Sequence, residues 1–328
     1  MDSSSIKCVF AFVMEPTRKI FSSFIWEKSY DLNRSKKISF NRISVVIFNI
    51  FSIYFNLTMK SIFNRVHLTD NLDFLNALDS EIIDLIYIDP PFFTGVEYKD
   101  FSDVWTSLDE YLEFMRVRLL EMQRVLKETG SFYCHCDNNA VFDLKLLLDS
   151  IFGKENFRRE IIWNVGSVSG FKSQVKGWVR QHDNILFYTN SDDFTFHKQY
   201  VPYKKEYIKK LFRYQDEDGR LYRKRRGGKQ YLDAKPGKLV GDVWNDIYSY
   251  QTRTRSKEYL GYATQKPEKL LQRIIQASSN EGDIVADFFC GSGTTLSVAN
   301  RLNRKWIGTD NNPKAIELCK KRLKVNRN

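Results

Sequence analysis

Apolar positions along this chain follow two rhythms. Ile82-Ile83-Asp84-Leu85-Ile86-Tyr87-Ile88 is a nearly continuous apolar, β-branched run, which suits a strand buried on both faces of a parallel sheet. His182-Asp183-Asn184-Ile185-Leu186-Phe187-Tyr188 and Ile284-Val285-Ala286 read as further strands. Between them, Leu108 to Lys127 keeps a helical period that ends near Gly130, and Leu144 to Phe152 keeps another. This alternation predicts an α/β domain with a doubly wound, mostly parallel sheet. From Pro202 to about Gly261 the rhythm breaks at Gly219, Gly227, Gly228, Pro236, Gly237 and Gly241, and the stretch reads as irregular.

The first apolar run leads directly into Asp89-Pro90-Pro91-Phe92. Neither proline has a backbone N–H to donate, so the chain must leave the sheet there with its carbonyls free. Asp89 then stands outside the carboxyl end of a strand, where open α/β sheets bind ligands. Its carboxylate and a neighbouring proline carbonyl are acceptors that match the two hydrogens of an exocyclic amine, and Phe92 offers a face for a planar ring. Held in this way, the amine nitrogen has its lone pair drawn out of ring conjugation and is ready to attack. The plainer alternative is a strand exit with a capping aspartate.

A second pattern lies far downstream. In Gly282-Asp283-Ile284-Val285-Ala286-Asp287-Phe288-Phe289-Cys290-Gly291-Ser292-Gly293-Thr294-Thr295 a strand enters a glycine turn and then a helix. Gly291 and Gly293 permit positive φ and close approach of a ligand, and the helix start offers unpaired N–H groups. Lys305-Trp306-Ile307-Gly308-Thr309-Asp310 forms the next strand, and its terminal Asp310 is placed to hold ribose hydroxyls. A phosphate-binding P-loop would need a lysine after the last glycine, where Thr294 stands, and an NAD fingerprint would need a third glycine where Leu296 stands. A nucleoside without phosphates fits better, and S-adenosylmethionine is such a molecule.

Together these motifs resemble those of the bacterial amino DNA methyltransferases of the permuted β group, in which Asp-Pro-Pro-aromatic precedes Phe-x-Gly-x-Gly, here Phe289, Gly291 and Gly293. Thr264-Gln265-Lys266-Pro267 resembles the segment just upstream of the cofactor loop, and the resemblance implies that Lys266 and Pro267 shape the methionine end of the pocket. Asp70, in His67-Leu68-Thr69-Asp70-Asn71, resembles the acidic contact to the cofactor adenine. The implied fold is the S-adenosylmethionine-dependent methyltransferase fold in permuted order, with an inserted target-recognition region. The implied site is Asp89, Pro90, Pro91 and Phe92 for catalysis, with Asp70, Lys266, Pro267, Asp287, Phe289, Gly291, Gly293, Thr294 and Asp310 for the cofactor.

The same resemblance divides the chain into a catalytic half at 59–195, a target-recognition insertion at 196–261 and a cofactor-binding half at 262–328. Gly130 to Asp137 and Asn156 to Trp163 look like later strands of the catalytic half. Asp at the first catalytic position, rather than the Ser usual in cytosine-N4 enzymes, favours adenine N6 as the target. The implied mechanism is direct transfer to a flipped-out adenine without a covalent enzyme intermediate. Asp89 acts chiefly as an acceptor there, since a carboxylate of ordinary pKa, roughly 4, is a poor base at neutral pH.

Charge supports double-stranded DNA as the partner. The net charge is +11, as a polyanion-binding enzyme needs. Lys204, Lys205, Lys209, Lys210, Arg213, Arg220, Arg223, Lys224, Arg225, Arg226 and Lys229 crowd one stretch, interleaved with Tyr203, Tyr207, Phe212, Tyr214 and Tyr222. Cations can neutralise phosphates while aromatics or arginines meet bases. A methyltransferase acting on RNA or a protein amide, or an idle DNA-binding module, fits the pattern less well. A cognate restriction endonuclease and a homodimer are further partners compatible with the resemblance.

Residues 1–58 do not continue this pattern. Ile43 to Phe55 is apolar but short, and Ser44, Asn49 and Ser52 interrupt it, so no membrane span is expected. The stretch reads as an extension preceding a functional start at Met59. Cys134-His135-Cys136 tempts towards zinc, but in a strand both cysteines share one face and His135 the other. With 5 cysteines in no ligand pattern, the expectation is a reduced, cytoplasmic protein without metal.

Overall fold

Eight of the extended runs assemble into one sheet. They are β1 (Arg65–Leu68), β2 (Ile83–Ile88), β3 (Leu126–Cys136), β4 (Phe157–Asn164), β5 (His182–Thr189), β6 (Val243–Trp244), β7 (Ile284–Asp287) and β8 (Lys305–Asp310), in the spatial order β1-β8-β7-β2-β3-β5-β4-β6. β5 runs antiparallel to β3 and β4, and every other neighbouring pair is parallel. This computed structural model describes residues 62–98, 102–166, 174–250 and 256–325, all within the compact unit Ser61–Asn328. The expected extension at 1–58 lies outside the described residues.

The pleat sends alternate side chains to opposite faces, and each face buries its own core. On one face Ile86, Ile88, Phe132, Cys134 and Leu186 meet Met115, Leu119 and Met122 of α2 (Leu108–Val125) and Leu144 and Leu148 of α3 (Val141–Phe152), with Leu75 of α1 (Asn71–Asn76) beside them. On the other face Leu85, Tyr87, Tyr133, Ile185 and Trp163 belong to a core with three later helices. These are α5 (Glu268–Ser278), α6 (Thr294–Arg301) and α7 (Pro313–Val325). Helices on both faces explain why β2 is apolar at nearly every position.

Two expected boundaries move. α2 stops at Val125, because Leu126 is already extended (φ −76°, ψ 132°) and opens β3. Gly130 is thus a strand residue, packed so closely on Leu126 that a Cβ would fall 2.6 Å from its Cγ. α3 begins at Val141 rather than Leu144.

The stretch read as irregular is structured. It holds α4 (Lys205–Leu211) and a three-stranded antiparallel sheet of Tyr214–Gln215, Leu221–Arg225 and Gly228–Tyr231, and its Lys238–Leu239 pairs with Tyr200–Val201 just before it. Its glycines mark turns: Arg225 pairs with Gly228 across a tight hairpin, with Gly228 at φ 119°. β6 adds parallel to β4, so the end of the expected insertion belongs to the main sheet. No described helix is long and apolar enough to cross a membrane.

Candidate active site

The register sets out the site. Ala286 of β7 pairs with Ile86 of β2, Asp287 with Gly308 of β8, and Asp310 of β8 with Leu68 of β1. Four adjacent parallel strands therefore each deliver an aspartate at their carboxyl edge: Asp70, Asp310, Asp287 and Asp89. Neighbouring strands lie about 4.8 Å apart, so these carboxyls crowd one rim. The rim borders a cavity of about 630 Å³ that takes in both expected motifs, with Asp89, Pro90, Pro91 and Phe92 on one side and Asp287, Phe289, Gly291 and Thr294 on the other. Asp70, Lys266 and Asp310 line it as well.

Asp89 is held asymmetrically. Lys266 Nζ donates to its Oδ2 at 2.7 Å, while Oδ1 is buried without a hydrogen-bond partner. An acceptor oriented and left unsatisfied in a cavity wall is poised for a donor from a ligand. The Pro91 carbonyl accepts from Tyr111 Oη at 2.9 Å. The Pro90 carbonyl carries no backbone bond among the described residues.

The loop that presents Phe92 is fixed by Asp103, a residue that sequence reasoning missed. Its buried carboxylate accepts from the backbone N–H groups of Phe92, Phe93 and Thr94, from Thr94 Oγ1 and from Trp105 Nε1, at 2.6–3.2 Å. These bonds hold Phe93 at φ 60°, a strained conformation for a residue with a side chain.

The glycine loop divides its labour. Gly291 (φ 49°) lines the cavity and donates its N–H to Asp310 Oδ2 at 2.8 Å. Gly293 (φ 75°) does not line it; a Cβ there would lie 2.3 Å from Cys319 Sγ, so this glycine is needed for the packing of α7. Pro267 also stays off the wall and caps α5. The Thr294 hydroxyl accepts from Arg322 at 2.6 Å and donates to the Lys266 carbonyl at 3.2 Å, tying α6, α7 and the Lys266 segment together. Asp70 caps α1 through the Leu72 N–H and pairs with Arg118 at 2.8 Å while also lining the cavity. Lys266, expected at the methionine end, spends its charge on Asp89.

Crowding shows in the titration of the buried carboxyls. Burial, reinforced by the charges of Asp89 and Asp310, pushes Asp287 up from 3.8 to about 7, against the hydrogen bonds from Thr295 and Phe289 that favour its ionised form. Burial also raises Asp310. A site with this surplus of carboxyl groups favours a cationic ligand.

Behind Asp89 lies a second missed group. His135 is fully buried, with Nδ1 2.8 Å from the Tyr87 hydroxyl and Nε2 3.2 Å from Asp183 Oδ2. Strand alternation held the signal: His135 pairs with Ile185, so Asp183, two residues away on β5, points to the same face. No group of His, Cys, Asp and Glu side chains suited to a metal occurs among the described residues.

Comparison with known proteins decides the family. A DNA methylase family model, N6_N4_Mtase, matches residues 83–321. The chain belongs to the DNA methylase family. This methylase is 30% identical over 313 residues to Type II methyltransferase M.EcaI of Enterobacter cloacae, covering 79% of the present chain and 69% of that one. It is 31% identical over 258 residues to DNA adenine methyltransferase YhdJ of Escherichia coli K12, covering 78% and 81%. Its fold matches M1.HpyAVI in complex with SAM at TM-score 0.50 and 17% identity, over 79% of this chain and 98% of the other. It also matches the cytosine-N4-specific PvuII DNA methyltransferase at TM-score 0.50 and 18% identity, over 78% and 85%.

S-adenosylmethionine is the expected methyl donor, and the residues present fit it. A cation suits the carboxyl-rich rim, Asp310 keeps lone pairs for hydroxyls, and Phe289 and the Gly291 backbone form wall rather than core.

Proposed function

We propose that this methylase is site-specific and transfers a methyl group to N6 of an adenine flipped out of double-stranded DNA. One observation carries the reading: the buried, unpartnered Oδ1 of Asp89 beside the Pro90 carbonyl. These acceptors hold the two amine hydrogens and so turn the nitrogen lone pair outward, while Phe92 supports the ring. Lys266 keeps Asp89 in position, and the loop fixed by Asp103 keeps Phe92 in place. S-adenosylmethionine supplies an electrophilic methyl carbon when bound; Asp310, Phe289, Gly291, Asp287 and Asp70 are the residues proposed to hold it.

The basic insertion is the proposed contact to phosphates. Its aromatic side chains pack on one another and on the cations. Tyr203 stacks on Tyr207 at 5.2 Å and Tyr214 on Tyr222 at 5.5 Å, while Arg223 lies over Phe212 at 5.2 Å and Lys229 over Tyr222 at 4.7 Å. They brace the cations, while Tyr207 and Tyr214 stay exposed. Relatives named Type II methyltransferases support a companion endonuclease that reads the same site.

The test is to incubate the protein with methyl-labelled S-adenosylmethionine and genomic DNA, then to digest the DNA and separate its nucleosides. N6-methyladenine is expected. Label found only in N4-methylcytosine would move the target to the other amine; label absent from DNA would overturn the reading.

A further inference from the structure

A methylated amine must lose a proton, and a lone carboxylate is a weak base for taking it at neutral pH. Beside Asp89 stands an imidazole. Asp89 Oδ1 lies 3.9 Å from His135 Nδ1, about 1 Å beyond ordinary hydrogen-bond length. Asp183, at 3.2 Å from Nε2, can only accept while ionised, so Nε2 carries the hydrogen and Nδ1 keeps the lone pair, to which the Tyr87 hydroxyl donates. An imidazole oriented by a carboxylate on one nitrogen, with its other nitrogen facing the reacting group, is the arrangement of a general base.

We propose that His135 is a positioning residue that withdraws the amine proton through Asp89, with Asp183 stabilising the imidazolium that results. This rests on the amine-holding role of Asp89 proposed above. Once nitrogen carries the methyl group it is cationic. One N–H bond then breaks, leaving its electron pair on nitrogen, and an O–H bond forms on Asp89 Oδ1. Asp89 and the ring must first close the 3.9 Å gap, and the Tyr87 hydroxyl must swing its hydrogen off Nδ1; the O–H bond then breaks as Nδ1 takes the proton on the lone pair so freed, and Tyr87 becomes an acceptor. The balance is a neutral methylated amine, a restored Asp89 carboxylate and an imidazolium, which returns its proton to water before the next cycle.

The charged groups around the ring agree with that role. Tyr87 and Asp89 face it from β2, Asp183 from β5, and the rings of Phe92 and Trp163 close it off at 5.6 and 5.5 Å. Lys266 is the nearby cation and is neutralised by Asp89. Arg180 binds both Asp183 and Asp137; burial would raise the Asp183 carboxyl, but the His135 hydrogen bond and the charges of His135, Lys266 and Arg180 hold it well below the usual range. Asp183 therefore remains anionic throughout the working pH range.

The experiment is single-turnover methylation of duplex DNA across pH 5.5–9 with wild type, His135→Asn, Asp183→Asn and Tyr87→Phe, alongside cofactor affinity by calorimetry. His135→Asn is expected to bind cofactor like wild type but to react about 100-fold more slowly, with the acid limb of the profile gone. Asp183→Asn is expected to lower the plateau and move the acid limb to lower pH, because the imidazolium loses its counter-charge. A merely structural role would scale all rates equally and leave the profile in place. Unchanged profiles in His135→Asn and Asp183→Asn would overturn the relay while Asp89→Ala stays inactive. An active Asp89→Ala would overturn the amine-holding role itself. Should His135→Asn fail to fold, Asp183→Asn and Tyr87→Phe decide the matter by the same criterion.

Discussion

Lys266 Nζ and Asp89 Oδ2 meet at 2.7 Å although 177 positions separate them in the chain. Both side chains are mostly buried, at 12% and 16% exposure, so removing one partner leaves a poorly solvated charge. Lys266→Met is expected to slow methyl transfer at least about 10-fold and to lower the melting temperature, with Lys266→Arg recovering part of both. Rapid-quench kinetics and calorimetric melting check this. A Lys266→Met enzyme with wild-type rate would mean that the pair does not orient Asp89.

Asp89→Ala removes the acceptor but none of the proposed cofactor contacts. Methylation is expected to fall below detection while cofactor affinity changes by less than about 3-fold, a shift under about 0.7 kcal/mol. Equilibrium binding of S-adenosylmethionine to the variant separates the two roles; equal loss of both would contradict them.

Asp103→Ala withdraws every acceptor that holds Phe92, Phe93 and Thr94 in place. With Phe93 no longer held at φ 60°, the loop relaxes and Phe92 moves. The expected outcome is a loss of about 2–4 kcal/mol in urea unfolding and a rate about 100-fold lower.

The two glycines of the cofactor loop should fail differently. Gly293→Ala drives a methyl group against Cys319 and is strained at φ 75°, at a cost of about 2–4 kcal/mol in stability. Gly291→Ala meets only the Tyr262 ring, at 3.2 Å, but adds a Cβ at the cavity wall. Its larger effect should be on cofactor affinity. Paired melting and binding measurements on both variants decide this.

Asp287 gives a pH dependence of definite sign. Between about 3.8 and about 7 the folded protein keeps this proton while the unfolded chain has released it. The contribution of the group to stability is therefore full at acid pH and declines as pH rises towards 7. Asp287→Asn, which cannot ionise, should gain melting temperature relative to wild type on going from pH 5 to pH 8. A constant difference across that range would show that the carboxyl is not raised.

Much of this was legible in the residues. The run ending at Ile88 announced a strand buried on both faces, and Asp89, Gly291 and Asp310 were read as ligand-facing because they end strands or turns, a local property. What escaped needed distance information. The resemblance places Lys266 at the cofactor, but its pairing with Asp89 appears only in the folded chain, and Asp103 reads as an ordinary acidic residue until the loop folds over it. Gly293 looked like its neighbour Gly291 because both need positive φ; only the position of Cys319 tells packing from ligand approach. The small sheet at 214–231 was hidden because its hydrophobic signal is diluted by cations braced on tyrosines.

The pairing of β7 with β2, at Ala286 and Ile86, has a consequence in time. A ribosome must make the intervening residues 87–285 before these central strand neighbours exist together, and closing so long a loop is slow. Until then Asp89 stands at the end of β2 without the neighbouring strand that completes its rim.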